Sequence, residues 1–332
     1  MNTKPQSKSY DGQVKLPRRL AGNLNILCSR CGQKAIKSGI RKIRQGTTQK
    51  YYCNHCQTYF SISPLPYRRY SPTVILNAIT TYNLGHTLQE TKQEIARRFK
   101  IKVPQSTIHS WLIQFTPICT FINYRKKFSL DKNDLIVSRV FSHQQEYQFK
   151  FHRLKVNILC KKYFPEIRRY LWWIRAHCPK RIFVDSERCS KNNLHNIHLT
   201  VMSERNNNAV ALAKLGLMLA KRNTERHQAI QNFMLINDTA TIALELPIYL
   251  YPNEAPDLNL TKPLTGHIDI LQVRYDHLCI LDYKPDARYE TRAKYQTYLY
   301  ARALSKRTGI PLAYIRWAYF DDKNYYEVRL DL

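Results

Sequence analysis

Residues Leu264–Ala287 read LTGHIDILQVRYDHLCILDYKPDA. Two apolar runs in this stretch, Gly266–Val273 and Leu278–Lys284, predict two strands. The polar residues near Tyr275–His277 predict the turn between them, and a connection this short favours antiparallel pairing. Further predicted strands lie on both sides of the hairpin, and one predicted helix interrupts them. We therefore expect an α/β domain with a mixed central sheet over residues 201–332.

Charged side chains interrupt this apolar hairpin. Asp269 lies on its first strand, and Asp282 and Lys284 lie on its second. Residues i and i+2 of a strand face the same side, so Asp282 and Lys284 should project together, and antiparallel pairing can bring Asp269 beside them. Two carboxylates bind a hard cation such as Mg²⁺ or Mn²⁺, and a nearby lysine can orient water and offset phosphate charge. The pattern predicts a metal-dependent phosphodiesterase site.

Polar residues outside the hairpin extend this candidate site. Gln296 and Tyr300 are four residues apart on the predicted helix Arg288–Arg307, so they share one face. Glu245 lies in an otherwise apolar predicted strand, where a buried carboxylate needs a cation nearby. His227 lies on the predicted helix before that strand. Glu245 and His227 compete as the upstream metal ligand, and the sequence leaves both open.

The chain thus carries, in order, the motifs Gly266-x-x-Asp269, Asp282-x-Lys284 and Gln296-x3-Tyr300. This series resembles the motifs of PD-(D/E)xK nucleases, specifically their RecB-like branch. The resemblance implies a restriction-endonuclease-like fold, with Asp269 and Asp282 as Mg²⁺ ligands and Lys284 as the catalytic lysine. It also implies that His227 is the branch's upstream helical ligand and that Gln296 and Tyr300 help hold DNA near the site. Some members bind an iron–sulfur cluster through C-terminal cysteines. Since no cysteine follows Cys279, we expect no such cluster here.

Cysteines form two tight pairs near the start of the chain. Cys28-x2-Cys31 and Cys53-x2-Cys56 are separated by 21 residues. Two such knuckles let four thiolates surround one Zn²⁺ tetrahedrally, and the closed site stabilises a fold too small to have much core. The spacing predicts a small zinc ribbon over residues 24–63, with Zn²⁺ as a structural cofactor.

A helical pattern follows, and we assign it to a domain spanning residues 66–128. Thr87–Phe99 and Ser106–Phe115 predict two helices joined by a short turn, with Thr87 and Ser106 as N-caps. In a helix-turn-helix the second helix presents its early residues to the major groove. Those residues are Gln105, Ser106, Thr107 and His109. Basic residues around the turn could meet phosphates: Arg97, Arg98, Lys100 and Lys102.

Together, the stretch Cys28–Phe115 resembles the zinc ribbon plus helix-turn-helix of insertion-sequence transposases. That resemblance implies DNA binding by the N-terminal part. In those enzymes a catalytic domain with three spaced carboxylates follows, and this chain has no convincing match to that spacing after residue 120.

Charge indicates the partner. Lys and Arg number 53 against 24 Asp and Glu, which gives a net charge of +29. The net charge is +19 over residues 1–130, +8 over 131–200 and +2 over 201–332. Such an excess favours a polyanion, most simply DNA. We expect a basic flexible arm over residues 1–23 and a helical connector over residues 129–200.

Composition excludes several classes of protein. Hydrophobic residues make up 44% of the chain, enough to bury real cores, so a wholly disordered chain is excluded. No uncharged apolar run reaches the roughly 18–20 residues of a membrane span, and the start lacks the apolar segment of a secretion signal. We expect a cytoplasmic, nucleoid-associated protein, or a nuclear one in a eukaryote.

These features predict a metal-dependent DNA nuclease that an N-terminal zinc ribbon and helix-turn-helix bring to DNA. A mobile element or a genome-defence system would suit that combination, with possible homo-oligomers or proteins of such systems as partners. Two other functions stay open: a non-catalytic DNA-binding regulator, and a transposase or its accessory subunit.

Overall fold

The computed structural model of this chain describes residues 28, 31, 33–43, 46–61, 69–128, 132, 134–161, 163–192, 197–204 and 207–331. The predicted basic arm at residues 1–23 lies outside these residues. The chain divides into two compact units, one ending at Ser71 and the other beginning at Pro72. Among the described residues, no helix combines the length and apolar character that crossing a membrane requires.

The described part of the first unit is a small antiparallel sheet in the order β1-β2-β3. Its strands are β1 (Ile36–Ile43), β2 (Gly46–Cys53) and β3 (Thr58–Ser61). The apolar cover is minimal: Tyr51 stacks on Phe60 with ring centroids 5.8 Å apart, and both pack beside the cysteines. Among the described residues of this unit the apolar core is small, so a metal ion bound by the cysteines would add to its stability.

The second unit begins with four helices: α1 (Pro72–Asn83), α2 (Leu88–Phe99), α3 (Gln105–Phe115) and α4 (Phe121–Lys127). Helices α2 and α3 lie where the sequence predicts them. Thr87 caps α2 as predicted, and Glu90 completes a capping box with it. The prediction that Ser106 caps α3 is wrong, because Pro104 occupies the N-cap and makes no side-chain bond there.

The remaining elements of the second unit are the helices α5 (Arg153–Lys155), α6 (Pro165–His177), α7 (Lys180–Val184), α8 (Asn208–Leu217), α9 (Arg226–Asn237) and α10 (Ala293–Thr308), and the strands β4 (Ile136–His143), β5 (Gln145–His152), β6 (Glu187–Arg188), β7 (Leu199–Glu204), β8 (Thr241–Leu250), β9 (Leu264–Arg274), β10 (His277–Tyr283), β11 (Ile315–Phe320) and β12 (Tyr325–Leu330). Helix α5 continues into a π-helical turn, Val156–Cys160.

The described residues of this unit form a nine-stranded mixed sheet in the order β4-β5-β8-β9-β10-β11-β12-β7, with β6 pairing to β9. Strands β9 and β10 form the predicted antiparallel hairpin. Strand β11 runs parallel to β10, and α10 makes the crossover between them. Helix α10 packs on β8, β10 and β11, and α9 packs on β8.

The predicted helical connector over residues 129–200 is wrong in its first part. Strands β4 and β5 form a hairpin that joins the sheet where Lys150 pairs with Leu244 and Phe151 with Ala243. In β5, Phe149 and Phe151 point into the core, which is the period-two burial of a strand. Helical structure begins only at α5, and the later helix α6 agrees with the prediction.

The helical segment at the start of the second unit packs directly on the sheet domain. The Asn83 side-chain amide donates to Asn237 Oδ1 at 2.9 Å, and the Asn237 amide donates to Thr80 Oγ1 at 3.1 Å. Both bonds join α1 to the end of α9. The boundary predicted near residue 128 is therefore not a division between compact units, since α1–α4 and the sheet belong to the same one.

Candidate metal and catalytic site

The predicted site residues converge from separate elements on the central strands of the sheet. Three neighbouring strands carry carboxylates at adjacent positions. Between β8 and β9, the residues on each side of Glu245 pair with the residues on each side of Asp269. Between β9 and β10, Ile270 pairs with Leu281, so the next residues in the register are Asp269 and Asp282. The elements supply His227 from α9, Glu245 from β8, Asp269 from β9, Asp282 from β10, Lys284 from the residues after β10, and Gln296 and Tyr300 from α10.

His227, Glu245 and Asp269 form a compact group of possible metal ligands. Their ligand atoms all lie within 4.8 Å of one another. His227 Nε2 is 3.2 Å from Asp269 Oδ2 and 3.7 Å from Glu245 Oε1. In an octahedral site with bonds of about 2.0–2.1 Å, ligand atoms are about 2.9 Å apart at adjacent positions and about 4.1 Å at opposite ones. The two measured distances lie within this range, so the group could hold a metal ion, and it includes both upstream residues between which the sequence could not choose.

The electrostatics of the group favour a bound cation. Burial alone would lower the pKa of His227, but the negative charges of Asp269 and Glu245 raise it to about 11. Burial raises the pKa of Glu245. Two carboxylates therefore stabilise a proton on His227, and a cation bound by all three side chains would replace that proton.

Sequence reasoning missed Gln231, which ties this group together. It lies one turn after His227 on α9 and is 4% exposed. Its Nε2 donates to Glu245 Oε1 at 2.6 Å and to the Asp269 backbone carbonyl at 3.2 Å, and it lies 2.9 Å from His227 Nε2. The i, i+4 spacing from His227 was the available signal.

Glu245 reaches the site through an unusual backbone conformation. Its φ is +49° in the middle of a strand that is otherwise buried throughout. A positive φ at a residue other than glycine costs free energy of order 1–3 kcal/mol, and such residues cluster at functional sites. The strand keeps its pairing on both sides, at Leu244–Ile270 and Leu246–Ile268. The rest of the sheet thus holds Glu245 in this strained conformation.

Asp282 and Lys284 form an ion pair beside this group, as their spacing predicts. Lys284 Nζ lies 2.8 Å from Asp282 Oδ2. The Gln296 amide donates to Asp282 Oδ1 at 3.3 Å, and the Tyr283 amide donates to Asp269 Oδ2 at 3.3 Å. Asp282 thus lies beside Asp269 but outside the group that brings three ligand atoms together.

The two aspartates titrate in opposite directions. Burial alone would raise the pKa of Asp269, but the charge of His227 lowers it to about 2. Burial and the negative charge of Asp269 raise the pKa of Asp282 well above its usual range. Burial would lower the pKa of Lys284, yet the charge of Asp282 raises it. A divalent cation at Asp269 would offset this repulsion and favour ionised Asp282.

Gln296 and Tyr300 lie on one face of α10, as predicted, and both are buried. Gln296 Nε2 donates to the Tyr300 hydroxyl at 2.8 Å. A Cβ at Gly266 would meet Tyr300 Cε1 at 2.4 Å, so the ring occupies the space that a glycine leaves. Gln296, held by Tyr300, therefore orients the Asp282 carboxylate through its hydrogen bond. Gly266 makes the packing of the Tyr300 ring possible.

The site opens into a cavity of about 250 Å³. Part of its wall comes from residues that the sequence prediction placed in the helical connector, namely His143, Tyr147, Phe183, Arg188 and Ser190, and part from Thr265 and His267 on β9. His143 Nδ1 lies 3.0 Å from His267 Nε2, and Tyr147 stacks on the His267 ring at 3.6 Å. Burial and the charge of Lys180 lower the pKa of His143 to about 4, so that imidazole is neutral near pH 7. No pattern in the sequence linked β4 and β5 to the hairpin at Leu264–Ala287.

The cysteine pairs also converge as predicted. The Sγ atoms of Cys28 and Cys56 are 3.5 Å apart, as are those of Cys31 and Cys53, and all four sulfur atoms lie within 4.8 Å of one another. Tetrahedral bonds of about 2.3 Å from zinc place sulfur atoms roughly 3.7 Å apart. The cluster could hold a zinc ion.

The residues predicted to contact DNA lie on the surface of α2, the following turn and α3. Gln105, Ser106 and His109 are exposed, and Thr107 is half-buried. Of the basic residues, Arg97 forms a bidentate pair with Glu94, and Arg98 donates to Asn77. Lys100, in a left-handed conformation with φ +56°, ends α2, and both it and Lys102 are exposed. Their contact with DNA stays a prediction.

Comparison with known proteins gives no relative for this chain. No protein-family model matches it, and neither a curated protein nor a solved structure does.

Proposed function

We propose that this protein is a metal-dependent nuclease that hydrolyses DNA phosphodiesters through a PD-(D/E)xK-type site. The observation that carries the proposal is the convergence of His227, Glu245 and Asp269 on one point, beside the Asp282–Lys284 pair and inside a cavity. The sequence resemblance implies two metal-binding aspartates and a lysine two residues after the second aspartate. Asp269, Asp282 and Lys284 lie together in this way.

The side chains divide the chemistry among them. His227, Glu245 and Asp269 would hold a Mg²⁺ or Mn²⁺ ion, with Asp282 beside them. When bound, such an ion polarises the phosphate and lowers the pKa of a water. Lys284, held by Asp282, donates a hydrogen bond to that water or to a phosphate oxygen and offsets charge as it develops. Gln231 and Gln296 fix the carboxylates through hydrogen bonds.

DNA as the substrate rests on charge and on the N-terminal elements. The net charge of +29 is concentrated in the first 130 residues, at +19. In this proposal the cysteine cluster is a zinc ribbon, and α2 and α3 form a helix-turn-helix whose exposed polar residues read base edges. A mobile-element or genome-defence role would give such a nuclease its target.

Cleavage assays test this proposal directly. The full-length protein and its Asp269→Asn variant are incubated with linear, circular and single-stranded DNA in Mg²⁺, Mn²⁺ or EDTA, with RNA as a further substrate. Asp276→Asn is the matched control, because Asp276 lies on the same hairpin but is exposed at its turn. We expect cleavage of DNA by the wild type and the control with metal only, and none by Asp269→Asn. Cleavage that persists in EDTA or in Asp269→Asn would refute the proposal, and binding without any cleavage would favour the regulator.

The DNA-binding surface has its own test. Replacing Lys100 and Lys102 by Gln removes two exposed charges, and the slope of log K against log salt should fall by about 0.9 for each duplex phosphate that the protein no longer neutralises. Lys306→Gln is the control, since Lys306 is exposed on α10 away from these helices in the chain. An unchanged salt slope in the double variant would show that the turn after α2 does not meet phosphates.

A further inference from the structure

One cation in the wall of the cavity lacks a carboxylate partner among the described residues. Lys284 is paired with Asp282, and His227 with Asp269. Arg188 forms no ion pair with any residue that the structure describes, and its guanidinium donates instead to the Tyr147 hydroxyl. Because that hydroxyl carries no charge, and Glu245 and Asp269 in the same wall form their contacts with His227, the Arg188 guanidinium has no carboxylate within ion-pair distance among the described residues.

The backbone holds Arg188 firmly at this place. The short strand β6 pairs in parallel with β9, placing Glu187 opposite Leu264 and Arg188 opposite Thr265. The Cys189 amide donates to the Thr265 carbonyl at 2.9 Å, and the hydroxyls of Ser186 and Thr265 are 2.7 Å apart. The same strand, β9, carries Asp269 a few residues further on. Arg188, through the pairing of β6, and the metal ligand Asp269 are therefore both held by β9.

The rest of the cavity wall suits a phosphate group. Ser190 follows Arg188 into the wall and supplies a hydroxyl, and Tyr147 presents its ring there. The Tyr147 ring packs flat on His267, at an interplanar angle of 7°, so both the ring and its hydroxyl are held in place. An arginine fixed by a neutral hydroxyl keeps its other N–H donors for an anion, and the guanidinium fork matches phosphate oxygens.

We propose that Arg188, with Ser190 and Tyr147, forms a phosphate subsite that binds one strand of the nucleic acid next to the bond to be cleaved. This inference rests on the proposed nuclease function and specifies that the substrate enters the site as a single strand. At about 250 Å³ the cavity is smaller than the roughly 300–1,000 Å³ of typical small-molecule pockets, so it takes a phosphate with part of a nucleotide and not a duplex. A single strand or a frayed end enters the site.

Kinetics on single-stranded DNA test the subsite in the full-length protein. The variants are Arg188→Gln, Arg188→Lys and Tyr147→Phe, and Arg181→Gln is the control, because Arg181 is exposed on α7 and does not line the cavity. Losing one charged hydrogen bond should raise KM for a thymidine hexanucleotide about tenfold in Arg188→Gln. We expect a smaller rise in Arg188→Lys, which keeps the charge, and in Tyr147→Phe, which removes only the hydroxyl that orients the guanidinium. The rise in KM should exceed the fall in kcat.

A second measurement does not depend on cleavage. Binding of a fluorescent thymidine hexanucleotide in Ca²⁺ is followed by anisotropy at several salt concentrations, and Arg188→Gln should reduce the salt slope by about 0.7, the value for one phosphate of a single strand. The hexanucleotide is used with a 5′-phosphate and with a 5′-hydroxyl. An effect on both forms identifies an internal phosphate, and an effect on the phosphorylated form alone identifies a terminal one.

The outcomes separate the two proposals. If the wild type cleaves DNA but Arg188→Gln equals Arg181→Gln in KM and in salt slope, the subsite is refuted and the nuclease stands. If the wild type cleaves nothing while Arg188→Gln still loses salt slope, the nuclease is refuted and the phosphate subsite stands.

Discussion

Replacing Gly266 by alanine should damage both stability and activity, because the new methyl group has no room. The added Cβ would lie 2.4 Å from Tyr300 Cε1 and 3.2 Å from Cδ1. Carbon atoms in contact are about 3.5–4.0 Å apart, so the ring has to move by roughly 1 Å. Tyr300 is 4% exposed, and overpacking of this kind costs about 1–3 kcal/mol of unfolding free energy.

The same shift should reach the chemistry. Tyr300 accepts a hydrogen bond from Gln296, and Gln296 donates to Asp282. A misplacement of about 1 Å in such a chain can lower the rate by about 100-fold. Urea denaturation gives the loss of stability, and cleavage of DNA in Mg²⁺ gives the loss of rate.

A second substitution shows whether the clash is the cause. Tyr300→Leu removes the ring atoms that the alanine meets, so Gly266→Ala should cost less in the Tyr300→Leu background than in the wild type. Additive losses in the double variant would refute the steric explanation. So would a Gly266→Ala protein whose stability and activity equal those of the wild type.

Three further predictions concern the two candidate metal sites, two of them from substitutions and one from pH dependence. Cys53→Ser should abolish zinc binding, measured by elemental analysis, and should unfold the described strands before Ser71. Mg²⁺-dependent cleavage of short DNA should stay largely intact. Soluble, folded wild-type protein without zinc would contradict this prediction. Lys284→Ala should lower the cleavage rate by about 10²–10³-fold, which is the effect of removing one preorganised hydrogen-bond donor. Mn²⁺ binding, measured by calorimetry, should be retained. An undiminished rate would exclude a catalytic role for Lys284. Because the pKa of His227 is raised to about 11, a metal ion that binds below that pH must displace a proton from this side chain. Mn²⁺ affinity should therefore rise with pH, and about one proton should be released per ion. Calorimetry in buffers of different ionisation enthalpy measures this release. Uptake without proton release would mean that His227 is not a ligand.

Structural features that depend on residues close together in the sequence were predicted correctly. The β9–β10 hairpin, the shared face of Asp282 and Lys284, and the capping of α2 by Thr87 all depend on local spacing, and the structure confirms them. The four cysteines also converge as their spacing predicts.

Features set by contacts far apart in the chain were not predictable in this way. The sequence interpretation placed the β4–β5 hairpin in a helical segment, and the position of this hairpin in the sheet depends on the pairing of β5 with β8, about 90 residues later. The sequence also did not place Arg188 in the cavity wall, because its position there depends on the pairing of β6 with β9. That His227 and Glu245 both belong to the candidate metal group also needed the fold, since α9 and β8 bring His227 Nε2 within 3.7 Å of Glu245 Oε1.

The most direct test of the central claim is to locate the metal ion itself. Crystals of the full-length protein are soaked in Mn²⁺, and anomalous diffraction is measured at the manganese edge for the wild type and for His227→Ala. We expect one strong wild-type peak within about 2.0–2.4 Å of His227 Nε2, a Glu245 oxygen and an Asp269 oxygen, weakened or absent in the variant. A manganese peak elsewhere, or an empty site between these three side chains at saturating Mn²⁺, would contradict the assignment of this site as the metal centre of a nuclease.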